Sequence, residues 1–257
     1  MDIIGKVYKD YFANSNDLDG NSHLLEKYTR GGAFNLINDW KLLKDNFQNI
    51  NCFFYLITNN KNLNYESKNL KFLYIAEECP SALIFDLKGK RTSFVINDNP
   101  IVIPIFKKTS DVALIFYGDK LIPRNINNYK EIFIDTACNK YEDIYSLANS
   151  KNYPSKSIVS ISSELLNDEL IELFTVERDF VVISHSPEKT EIIEKNSSNI
   201  IQNEFYKKPT SKRKNIRVTG LGDKFIFLIA MYYHYCNLNL TQSVKKSQKF
   251  ITNFFIE

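Results

Sequence analysis

The chain is expected to fold as a three-layer α/β protein with a mostly parallel sheet and a small β lid. Three observations carry that expectation. After Pro100 come four apolar, β-branched runs of strand length, "DVALIFYG", "EIFIDTA", "SIVSIS" and "DFVVISHS". They show no polar face, as strands covered on both sides do. Helix-like pieces, "KYEDIYSLANS" and "SELLNDELIELF", lie between three of them, and alternating strand and helix marks a layered α/β core. The run "SALIFDLKGKRTSFVIN" precedes this regular part and turns at "LKGK", so it reads as a hairpin in a sheet of its own.

The remaining elements follow in order. "DIIGKV" is the first strand, and the polar segment "ANSNDLDGNSHLLEKYTR" comes after it. In "GGAFNLINDWKLLKDN", Phe34, Ile37, Leu42 and Leu43 fall on one helical face. "NCFFYLIT" reads as a buried strand and "KFLYIAE" as another. The last helices are expected at about 224–235 and 241–254, the second capped by Thr241. With 257 residues, 44% of them hydrophobic, the chain suits one domain over 1–257. Parts of about 11–30 and 72–100 would supply the lid.

Composition narrows the function classes. A net charge of +3 is too small to argue for nucleic acid as a partner. The cysteines, Cys52, Cys79, Cys138 and Cys236, form no C-x-x-C pair and read as reduced thiols. The start "MDIIGKVYKDYF" lacks a basic region before an apolar stretch. The longest apolar run, 225–233, is too short to cross a bilayer. A cytoplasmic protein without a membrane partner is expected.

The chemistry is concentrated in "VTGLGDKF", residues 218–225. Gly220 and Gly222 permit torsions closed to other residues, so neighbouring amides can turn into one concavity. A helix starting at about Asp223 would add its first amides and its dipole. Such a nest suits a transferring phosphoryl group, with Asp223 placed to accept a hydroxyl proton. The competing explanation is a plain turn in which Asp223 caps a core helix.

Four stretches in order resemble signatures of the ribokinase-like (PfkB) carbohydrate kinases. "TGLGDKF" is similar to the Thr-Gly-Ala-Gly-Asp-x-Phe signature, with Thr219, Gly220, Gly222, Asp223 and Phe225 matching and Leu221 replacing alanine. "IIGKVYKDYF" resembles the opening strand, with Gly5 followed by Asp10. "RGGAFNLINDWKLL" resembles the Gly-Gly signature, with Gly31, Gly32 and Asn35 spaced as in the heptose-phosphate kinase branch. "PSALIFDLKGKRTSFV" resembles the lid hairpin. The resemblance implies Asp223 as base and the amides of Gly220, Leu221 and Gly222 as the anion hole. It implies Asp10 and Asn35 on substrate hydroxyls, with Gly31 and Gly32 allowing close approach. Ser184, in "VVISHS", would stand for a phosphate-contacting threonine, with Arg217 and Thr219 also on the nucleotide side. The cofactors implied are ATP and Mg2+, without identified metal ligands. The partner is a sugar-like small molecule, and relatives often form a homodimer through the lid strands.

Departures from the pattern point elsewhere. In "SISSELL" Glu164 is present, but Ile161 occupies the asparagine place of the family's magnesium motif. Arg217 replaces the aspartate that serves a monovalent cation; it supplies a positive charge itself, or it marks lost activity. "ITNNKNLNYESKNLKF" is too short for the usual helix and strand together. The basic residues Lys207, Lys208, Lys212, Arg213, Lys214 and Arg217 read as a solvated loop or as a phosphate clamp. His23, His185 and His234 are scattered and make no metal site. The expectation is therefore an ATP-dependent kinase of a sugar, sugar phosphate or related small molecule, with a ligand-binding pseudokinase of the same fold as the alternative.

Overall fold

A computed structural model describes residues 1–14, 25–30, 32–47, 51–61, 63, 68–75, 81–87, 90–96, 100–119, 121–122, 124, 126–136, 140–154, 156–186, 188–203 and 221–253. The chain opens with strands β1 (Asp2–Lys6), β2 (Tyr8–Asn14) and β3 (Leu25–Arg30), then helices α1 (Gly32–Asn38) and α2 (Trp40–Asp45). Strands β4 (Phe53–Thr58), β5 (Leu70–Tyr74), β6 (Ser81–Leu87), β7 (Lys90–Ile96), β8 (Ile101–Val102), β9 (Val112–Phe116), β10 (Leu121–Ile122) and β11 (Glu131–Asp135) follow. The second half holds α3 (Tyr141–Asn149), β12 (Ile158–Ser162), α4 (Asp168–Glu172), β13 (Val181–His185), β14 (Lys189–Glu194), β15 (Ser197–Gln202), α5 (Leu221–His234) and α6 (Leu240–Ile251).

Nine strands form the main sheet, in the order β15-β14-β13-β12-β11-β9-β1-β4-β5. From β5 to β13 every pairing is parallel, while β14 and β15 add antiparallel at one edge. The strands are apolar on both faces for the reason given by the period of two. Ile3, Leu114, Phe133, Ile158 and Ile183 point into one core with α1, α2, α5 and α6. Their neighbours Ile4, Ile115, Ile134, Val159 and Val182 point into a second core with α3 and α4. Three layers result.

The "LKGK" hairpin is present as β6–β7, paired from Ser81↔Ile96 to Leu87↔Lys90. It joins β2 and β3 in a separate four-stranded sheet of order β3-β2-β6-β7. Asp10 lies in the middle of β2, between Lys27 and Ala82.

Several elements differ from expectation. The stretch read on one helical face becomes two short helices broken at Asp39. The "SELLNDELIELF" piece is a tight turn at 163–165, the short α4, and a wide π turn at 173–177. Thr241 is not the cap of α6. Asn239 is: its Oδ1 accepts from the Gln242 amide at 2.9 Å, and Gln242 Oε1 accepts from the Asn239 amide at 3.3 Å. This reciprocal pair satisfies two orphan donors, and Thr241 instead accepts from Asn199 Nδ2 of β15.

One carboxylate is buried at the amino edge of the sheet. Asp2, fully covered in β1, accepts from the Thr109 amide at 2.9 Å, the Tyr129 hydroxyl at 2.8 Å and the Thr109 hydroxyl. A buried carboxylate needs such donors, and these pin the 103–110 segment beneath β1.

Candidate active site

The elements that carry the site meet at the carboxyl ends of the strands. Chain order runs outward from β1 through β4 to β5, and from β9 through β11 to β13 on the other side. The β1–β9 boundary is therefore the switch point, where open α/β sheets leave a crevice. Above it α1 packs on β1, while α5 packs on β9, β11 and α1.

α5 begins at Leu221, earlier than the sequence reading placed it, so Gly222 and Asp223 lie inside its first turn. The helix is anchored by burial: Ile226, Phe227, Leu228, Ile229, Ala230 and Met231 are all covered. A helix apolar all round is held as a core element, so its first turn sits on a rigid mount. The first amides of a helix have no partner within it, and the dipole there favours an anion. Gly222 is exposed, and among the described residues a Cβ built on it would meet no heavy atom within 4 Å.

Asn35 and Asp223, 188 positions apart, are brought together: Asn35 Nδ2 donates to Asp223 Oδ2 at 2.7 Å. Gly32 explains how α1 reaches this place. A Cβ on Gly32 would lie 2.0 Å from the Phe116 ring, which ends β9. Only a residue without a side chain lets the helix settle onto that ring. Burial pushes the Asp223 carboxyl above its ordinary range, opposed by the hydrogen bond from Asn35 and the charge of Lys224. A carboxylate so desolvated holds a proton better than a free one does.

Other expected residues are placed differently. Ser184 is buried inside β13, and alternation puts it on the α3–α4 face with Val182, opposite the face of α5. His185 is not in a loop. It ends β13 on the α5 face, edge-on to Phe225 with 6.4 Å between ring centroids, and burial lowers its pKa. Glu164 is exposed in the turn after β12. His234 closes α5 with its Nδ1 3.8 Å from Glu131 Oε2. Gly31, Arg217, Thr219, Gly220, His23 and the basic run 207–217 lie outside the described residues, as does the side chain of Asp10. Among the described residues no three metal-ligating side chains converge, and no helix is long and apolar enough to cross a membrane.

Three charged groups at this end of the sheet escaped the sequence reading. Lys6 is fully covered at the end of β1, and Asp135 is covered at the end of β11, in register with Phe116 and Ser160. Lys224 is buried with its Nζ 2.9 Å from Asp39 Oδ2. The available signal was a charge at the boundary of an apolar run: "DIIGK", "EIFID" and "DKFIFLIAM".

A mostly parallel nine-stranded sheet between two helical layers, with a small sheet rising from the end of β1, is a ribokinase-like fold. Solved structures agree. Adenosine kinase from Schistosoma mansoni in complex with 2-fluoroadenosine superposes with a TM-score of 0.61 at 10% identity, over 100% of this chain and 95% of that one. Phosphofructokinase-2 from Escherichia coli, in complex with substrates and products, gives 0.60 at 10% identity over 100% and 93%. An uncharacterised sugar kinase from Pyrococcus horikoshii in complex with ATP gives 0.59 at 13% identity over 96% and 89%. No protein-family model matches the chain, and no curated protein matches it by sequence. The heptose-phosphate branch thus has only the Gly31–Asn35 spacing behind it.

Proposed function

We propose that the protein transfers a phosphoryl group from ATP to a hydroxyl of a sugar, sugar phosphate or nucleoside-like small molecule. The observation that carries this reading is the Asn35–Asp223 contact on the first turn of a buried helix, beside the exposed Gly222. Asp223 accepts the proton as the hydroxyl oxygen attacks the γ-phosphorus; the bond to the bridging oxygen breaks and ADP leaves. Asn35 orients the carboxylate and is within reach of the same hydroxyl. The amides at Leu221 and Gly222 face the charge that develops on the transferred group. A divalent cation, carried mostly by phosphates and water as Mg2+ usually is, would neutralise charge on the nucleotide. The superposed kinases support the reading through their fold.

The test is ADP release across a panel of sugars, sugar phosphates and nucleosides, for the parent and for Asp223→Asn. Acceptor-dependent release that falls by about 10²–10⁴-fold in the variant is expected of a lost general base. Undiminished turnover in Asp223→Asn removes the mechanism.

A further inference from the structure

Asp223 and Lys224 are consecutive on α5, and each is bound from the same side. Asn35 on α1 takes Asp223, and Asp39, four positions on, takes Lys224. The ion pair is largely withdrawn from solvent: the Lys224 side chain is 7% exposed and that of Asp39 34%. A buried ammonium is tolerated when a carboxylate meets it at this distance. The break between α1 and α2 is what frees Asp39 to do so, since its backbone leaves the helical path there.

We infer that Lys224 and Asp39 are positioning residues for Asp223: their pair locks the first turn of α5 against α1, turns the Asp223 carboxylate to Asn35, and sets the net charge beside it. The role rests on the phosphoryl-transfer reading above. Lys224 already holds the Asp223 carboxyl down against burial, and Asp39 offsets part of that field.

Among the described residues, other charged groups lie on the elements packed around α5. Glu131 and Glu194 act on Tyr233, toward the far end of the helix, and Lys246 lies over Tyr232. Lys245 and Lys249 belong to α6, and Lys44 and Asp45 to the exposed end of α2. β9 carries no charge. His185 ends β13 beside Phe225 of α5, and burial favours its neutral form; buried Asp135 ends β11, which packs on α5, and buried Lys6 ends β1 on the Ile4 face, away from α5.

The test compares Lys224→Met, Asp39→Asn and Lys224→Arg in the full chain. Two readouts are taken: the pH profile of acceptor-dependent turnover, and the titration of the ¹³C-labelled Asp223 carboxyl, assigned by its loss in Asp223→Asn. Removing the cation should move the titration and the acid limb up by about half to one pH unit, a roughly three- to tenfold loss of rate on that limb. Removing Asp39 should move both down, because Lys224 then acts undiluted. Lys224→Arg should stay near the parent. Shifts of the same sign in Lys224→Met and Asp39→Asn, or none, overturn the inference, since mere helix docking has no opposite signs to give. If no acceptor supports turnover, the kinase reading fails while the carboxyl titration still decides the pair. If Lys224→Met does not fold, the third-exposed Asp39→Asn decides alone: an unmoved titration overturns the inference.

Discussion

Asp223 carries a stability consequence as well as a chemical one. Its folded-state pKa is raised above the ordinary 3.8 by burial. A group raised in this way contributes stability that is fully present below its unfolded pKa and is lost as pH rises through the folded value. At pH 7 the ionised carboxylate is therefore a net cost to the fold. Asp223→Asn keeps an oxygen for Asn35 Nδ2 and removes the charge. The variant should melt above the parent at pH 7, and its advantage should vanish as the pH falls toward 4. Scanning calorimetry between these limits reads the trend; a variant that melts lower at pH 7 would show that the carboxylate is stabilised by its neighbours. The residue proposed as the base is then one that the fold would be more stable without, as strained or desolvated functional groups are elsewhere.

At the scale of elements, the approach of α1 to β9 sets the site. Gly32→Ala drives a methyl group into the Phe116 ring, which is itself only 1% exposed. Overpacking of this kind costs about 1–3 kcal/mol, so urea unfolding should show that loss. In a Phe116→Leu background the penalty should shrink, giving a coupling of about 0.5 kcal/mol or more in a double-mutant cycle. Additive penalties would mean that α1 shifts bodily without strain. Elements with one dominant period were legible: the parallel strands declared themselves as continuous apolar runs, and β6–β7 by its turn. β14 and β15 were not, because "KTEIIE" and "SSNIIQ" mix polar residues into an antiparallel edge. α6 was found, but its cap was misplaced by two residues, since Asn239 and Thr241 both fit a cap and only the reciprocal Gln242 contact separates them.

For the whole molecule, the candidate site is legible in the sequence where it is local and silent where it depends on packing. Gly222 and Asp223 form a motif within one turn, and Asn35 follows a second glycine motif. The contacts Asn35–Asp223 and Asp39–Lys224 need the sheet to exist before α1 and α5 can meet. Cys52 offers a probe of that global order. It begins the approach to β4, is fully covered, and its thiol is pushed up to about 12 by burial. Alkylation requires thiolate and access, so native protein should label at exposed Cys236 at once and at Cys52 only through unfolding. Peptide mapping over a urea series should show Cys52 labelling rise with the unfolding transition; rapid modification in native buffer would reveal a local opening at β4. The small sheet adds a mechanical property. Only Val7 separates β1 from β2, and only position 31 separates β3 from α1. The Val7 tether is one residue long, which leaves little slack between the two sheets. A load that tilts the small sheet is therefore passed through Val7 to β1, the strand against which α1 and its Asn35 are packed.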